Sequence, residues 1–143
     1  MAHVNYLAVL VASLAGMAVG SLWYSRSLFG TLWMRIIGQD KLTKAEIDQM
    51  QKEVRPYFVV MFVVTFMGAA VLARFLVWFG AASVAGGISI GFWSWLGFEI
   101  PVIAGNALFS GKEKDLLLPL FLVQAVHHFI ALLVMGAILG AWL

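Results

Sequence analysis

Long apolar runs separated by short polar stretches dominate the chain from residue 4 onward. Four of them, 4–25, 56–79, 84–109 and 116–142, reach the roughly 20 mostly apolar residues that a helix needs to cross a hydrocarbon layer. The one extended polar stretch lies between the first two. There Thr43 with Glu46 fits a capping box, Ile47, Met50 and Val54 share a helical face, and Lys44, Asp48, Lys52 and Glu53 take the other. This pattern predicts a short amphipathic helix over 43–54 at the membrane surface. Pro56 suits the first turn of the second span, where its missing N–H is not needed, and 81–87 is a tight link into the third. The expected architecture is all-α: an integral membrane four-helix bundle forming one transmembrane domain over 1–143, with a short interfacial helix in the first connection.

Composition agrees with this pattern, since 63% of residues are hydrophobic and 11% charged, against about a quarter charged in soluble domains. A signal peptide is the competing explanation of the first run, because Ala18-Val19-Gly20 resembles a cleavage pattern. Residues 1–6 hold no Lys or Arg to form a positive n-region, so the run is expected to be a retained span. The absence of cysteine excludes disulfides, zinc–thiolate sites and thiol catalysis. A pI near 9.2 with a net charge of only +2, and Lys and Arg mixed with acids beside apolar spans, gives no nucleic-acid footprint.

The basic residues are lopsided. Arg26, Arg35, Lys41, Lys44, Lys52 and Arg55 fall between the first two spans and Lys112 and Lys114 between the last two, while Arg74 lies near the opposite end of the second span, where its side chain can snorkel. Both connections are therefore expected in the cytoplasm and both termini on the other side. Trp23, Tyr24, Trp33 and Tyr57 at one boundary, and Tyr6, Trp78 and Trp142 at the other, form matching aromatic belts.

Small residues recur every fourth position: Ala8, Ala12, Gly16 and Gly20 in the first span, Gly87 and Gly91 in the third, Gly136 and Gly140 in the fourth. Such stripes allow close helix approach in lipid, within one chain or between chains. Polar residues at depth are rarer and more telling. Glu99 lies ten residues from Phe109 and His127 eleven from Leu116, which places both about 15 Å inside the membrane. Thr65 joins that layer, Gln124 is one turn from His128, and Asn106 is two turns from Glu99, so these six can form one intramembrane polar cluster. Adjacent residues project about 100° apart on a helix, so His127 and His128 cannot both face Glu99. Pro101 removes a backbone N–H and can kink the third span beside the cluster.

A Glu and a His at one depth can pass a proton or bind a cation, or can form a structural pair that fixes helix register. The spacing matches no zinc-hydrolase, phosphate-loop or nucleophile-elbow pattern, so no catalytic residue, metal or cofactor is expected. Three functions stay open: a proton- or cation-linked transporter or channel, a structural or accessory subunit that packs through its small-residue faces, and, least favoured by the residues, a membrane enzyme that would purify with a stoichiometric metal or cofactor. The expected partners are the lipid bilayer and further copies of the chain in a homo-oligomer.

Asn5-Tyr6-Leu7-Ala8, the block Leu22-Trp23-Tyr24-Ser25 with Leu28-Phe29-Gly30 and Trp33-Met34, and His128 ahead of Met135-Gly136-Ala137-Ile138-Leu139 resemble domain-of-unknown-function family 1761. The resemblance covers nearly the whole chain, and Trp23, Tyr24, Ser25, Phe29 and Gly30 are its most specific part. It implies a small multi-pass protein of the bacterial cytoplasmic membrane and favours His128 over His127. The family commonly has proline after the Trp-Tyr-Ser triplet, where this chain has Arg26. It carries no assigned activity.

Overall fold

The computed structural model describes residues 3–142. Every regular element among them is helical: α1 (Tyr6–Trp23), α2 (Gly30–Ile36), α3 (Lys44–Trp78), α4 (Val84–Ser94), a π turn (Trp95–Glu99), α5 (Ile100–Leu108) and α6 (Lys114–Ala141). α4, the π turn and α5 run on as one span, Val84–Leu108, so four helices are long and apolar enough to cross a membrane. α1 starts and α6 ends at one face of the bundle, termed here the terminal face. α2 and the Phe109–Glu113 connection lie at the opposite, loop face.

Local chemistry fixes the helix ends. Asn5 Oδ1 accepts the backbone N–H groups of Leu7 and Ala8 and caps α1. The capping box at Thr43 forms as its sequence predicts: the Thr43 amide and hydroxyl each donate to Glu46 Oε2 at 2.7 Å, and the Glu46 amide donates back to Thr43 Oγ1. These bonds hold the Glu46 carboxyl below its usual range.

The helix that begins there is not a separate interfacial one. It runs without a break through Pro56 to Trp78, 35 residues in all, or about 52 Å at 1.5 Å per residue. That exceeds a hydrocarbon layer of about 30 Å, so its first turns project beyond the membrane. Pro56 is therefore a helix-interior residue, and not a first-turn one. Its missing bond leaves the carbonyl of Lys52, an exposed residue that water can reach. The short helix of the first connection is instead α2, in the aromatic stretch that follows α1.

Packing is tightest toward the terminal face. Ala8, Val9 and Ala12 of α1, Ala69, Leu72, Ala73 and Leu76 of α3, and Met135 and Leu139 of α6 form the main core. α4 and α6 approach even more closely, because their glycines face one another. A Cβ on Gly136 would run into the Gly87 carbonyl, one on Gly87 into the Gly136 carbonyl, and one on Gly140 into the Ser83 carbonyl. Backbone-to-backbone contact of this kind supplies the dispersion attraction that replaces the hydrophobic effect in lipid. A smaller core of Ile36, Ala107, Leu120 and Val123 holds α2 to the loop face. α3 takes no part in it: every buried α3 residue lies between Ala69 and Leu76, and its loop-side half stands away from the bundle.

Candidate functional site

The adjacent histidines of α6 diverge, as helical geometry requires. His128 faces the third span, where its Nδ1 lies 2.8 Å from Glu99 Oε2. His127 faces α1, with its ring 5.2 Å from Tyr24 and 6.4 Å from Trp23. The two imidazoles stand perpendicular, 5.0 Å apart. Glu99, His128 and His127 thus form a continuous series crossing α6 from one side to the other.

The backbone places each member. Pro101 has no N–H, and its ring would press on the Gly97 carbonyl in a regular helix. One extra residue in the preceding turn resolves this, and the Ile100 N–H reaches back to the Trp95 carbonyl in the π turn that ends at Glu99. Pro101 thus acts through a π turn that sets where the carboxylate points. On the other side Gly20 makes room for His127, since a Cβ there would lie 3.2 Å from Nε2. Two indoles anchor α6 around the histidines: Trp23 Nε1 donates to the Val123 carbonyl at 3.0 Å and Trp95 Nε1 to the Ala125 carbonyl at 2.8 Å.

His127 itself is anomalous. Both of its ring nitrogens are buried, and neither has a protein hydrogen-bond partner among the described residues. Leaving a buried polar atom unpaired costs about 1–3 kcal/mol, so such a group calls for a reason beyond packing.

The other polar residues expected in the cluster are placed differently. Thr65 lines the same cavity as His127, but its hydroxyl turns to Met17 Sδ at 3.8 Å. Gln124 is half-buried and Asn106 exposed, and among the described residues neither hydrogen-bonds to the pair. Nor do three His, Asp or Glu side chains converge among those residues in a way that could hold a metal ion. The small-residue positions all face inward: Gly16 lies against Met135 and Thr65, Gly20 against His127, and Gly136 and Gly140 against the α4 segment.

The aromatic block folds into a compact reversal below His127. Ser25 Oγ donates to the Leu22 carbonyl, the Gly30 and Leu28 amides donate to the Ser25 carbonyl, and the Phe29 amide donates to the Trp23 carbonyl. Gly30 is required there, because a Cβ would sit 2.6 Å from both the Tyr24 and Ser25 carbonyl oxygens. Phe29 stacks on Trp23 at 4.3 Å and Trp33 meets Tyr24 edge-on at 5.0 Å. Arg26 is exposed and lies in the turn without breaking it.

A cavity adjoins each end of the polar series. One of about 240 Å³ has Glu99 in its wall with Gly68, Phe75, Ser94, Phe98 and Leu132; these α3 and α6 residues lie in the halves nearest the terminal face. The other, about 390 Å³, has His127 in its wall with Gly20, Tyr24, Phe58, Met61 and Thr65. It occupies the gap where α3 stands away from α1, toward the loop face. Three features were not legible beforehand: α2, the indole bonds to α6, and the π turn, of which only Pro101 gave a signal.

The chain belongs to the family described as Protein of unknown function (DUF1761), whose model matches residues 7–140. No curated protein and no solved structure matches it.

Proposed function

We propose that this DUF1761 member moves protons through its membrane domain along Glu99, His128 and His127. One observation carries the proposal: a half-buried histidine whose ring nitrogens have no protein hydrogen-bond partner among the described residues stands beside a carboxylate–imidazole pair, with a cavity at either end of the series. A purely structural pair needs Glu99 and His128 alone; it gives no reason to keep an unsatisfied imidazole next to them.

In this mechanism Glu99 takes a proton from the cavity toward the terminal face and shares it with His128 Nδ1. Imidazole can accept a proton at one nitrogen and release one from the other, so His128 passes a proton onward through Nε2. His127, 5.0 Å away between ring centroids, receives it after a small ring rotation or through one water, and releases it into the cavity toward the loop face. Intramembrane acids and histidines in series are the usual material of such relays. In this reading the loop face is cytoplasmic and both termini lie outside, an orientation supported by the excess of Lys and Arg in the two connections.

The accessory-subunit alternative relies on glycine faces that are free for a partner. Gly16, Gly20, Gly136 and Gly140 instead pack against other helices of the same chain, which favours the relay.

Proton flux into liposomes carrying the purified protein tests the proposal. Glu99→Gln keeps the shape and a hydrogen-bond partner for His128 but cannot ionise, so flux is expected to fall to that of empty liposomes while the protein stays folded. Wild-type flux in folded Glu99→Gln protein would remove the relay.

A further inference from the structure

A third cavity, about 290 Å³, lies at the loop face between α2 and the first turns of α3, with Arg26, Thr31, Gln39, Asp40 and Gln51 in its wall. Met34, Ile47 and Met50 complete the wall, so it is mixed, but its polar and charged share is larger than that of the chamber beside His127 and suits water better. Among the described residues, a single one, Tyr24, lines both.

Tyr24 is held from two sides. Its ring meets Trp33 of α2 edge-on at 5.0 Å and the His127 imidazole of α6 at 5.2 Å. The reversal of residues 23–30, closed by the Ser25 and Gly30 bonds, fixes its backbone. Ring torsion is left as the degree of freedom that changes the wall between vestibule and chamber. Among the described residues, the Tyr24 side chain makes no hydrogen bond that would have to break for the ring to swing.

We infer that Tyr24 is a gate: its ring closes the chamber beside His127 against the water-filled vestibule at the loop face, and its displacement joins the two. The use of this conduit for protons rests on the relay proposed above; the existence of the gate does not. The gate gives the aromatic block of the family motif a role in access as well as in folding. It also explains why the turn is built so tightly around one tyrosine. A closed gate whose open form is a minor state, about 10% populated or less, slows entry at least about tenfold.

Since the chain has no cysteine, single cysteines report access cleanly. Thr65→Cys, in the chamber wall, and Gln51→Cys, in the vestibule wall, are treated with a positively charged, membrane-impermeant methanethiosulfonate reagent in vesicles exposing the loop face. Gln51→Cys should label quickly whatever stands at 24. Thr65→Cys should label slowly with Tyr24 or Tyr24→Phe, and at least about tenfold faster with Tyr24→Ala. Should Tyr24→Ala fail to fold, Tyr24→Leu removes the ring while keeping apolar bulk and should give the same acceleration. Equal labelling of Thr65→Cys with Tyr, Phe and Ala or Leu at 24, whether fast or slow throughout, would overturn the gate. The readout is independent of proton movement: faster labelling without any Glu99-dependent flux would keep the gate and remove the relay, and the reverse pattern would keep the relay and remove the gate.

Discussion

The two halves of the bundle are built on opposite principles. Toward the terminal face, glycines bring α4 and α6 into backbone contact, alanines let α1 and α3 pack closely, and the largest side chains buried there are three leucines, one valine and one methionine. Toward the loop face, tryptophan, tyrosine and phenylalanine do the spacing, α3 stands away, and two sizeable cavities open. Glu99, His128 and His127 lie where one regime gives way to the other. Tight packing fixes the spans, whereas looser packing leaves space between them; a polar series at the boundary adjoins a smaller cavity on the terminal side and a larger one on the loop side without the bundle coming apart.

The sharpest way to break this contrast is to put bulk into the tight half. Gly136→Leu drives a side chain into the Gly87 carbonyl, and backbone cannot yield as a side chain can. It should cost at least about 3 kcal/mol, the upper end for overpacking, with loss of a monodisperse folded species in detergent and a lower thermal midpoint. Gly68→Leu is the matched control: nothing lies within 4 Å of its Cβ position, so it should stay within about 0.5 kcal/mol of wild type. Similar losses in both variants would mean that glycine-to-backbone contact is not what makes the terminal half intolerant of bulk.

A smaller effect belongs to the projecting start of α3. Glu46 has its folded pKa lowered by the Thr43 bonds, so the cap contributes stability above the unfolded carboxyl pKa and loses it as pH falls through the folded one. Amide exchange in the first turn of α3, corrected for intrinsic rate, should accelerate across that acidic range. Thr43→Ala should exchange fast at every pH. A wild-type first turn insensitive to acid would show that the cap does not hold this end.

Much of this architecture was legible in the sequence. Four apolar runs, the Thr43–Glu46 box and the divergence of His127 from His128 follow from periodicity and spacing alone. Depth counted along each span, by contrast, set Glu99 level with His127, and only the family resemblance favoured His128, the residue that lies against Glu99. The continuity of α3 through Pro56 was not, because proline at that position suits a helix start equally well until the exposed Lys52 carbonyl is seen. The six-member cluster contracted to three because depth fixes height in the membrane but not rotation about the helix axis. Asn106 and Gln124 stand at suitable depths and make no bond to the pair. The family block resembled a boundary belt of aromatics; that Trp23 anchors α6 and Tyr24 separates two cavities depends on contacts about 100 residues apart in sequence.

The relay is tested most directly at His127, the residue whose nitrogens have no bond to lose. His127→Leu removes two unsatisfied buried atoms, so stability should be unchanged or raised by about 1–2 kcal/mol. If the series conducts, proton flux into liposomes should nevertheless fall to that of empty ones. Undiminished flux in folded His127→Leu protein would contradict the account and return His127 to a packing role.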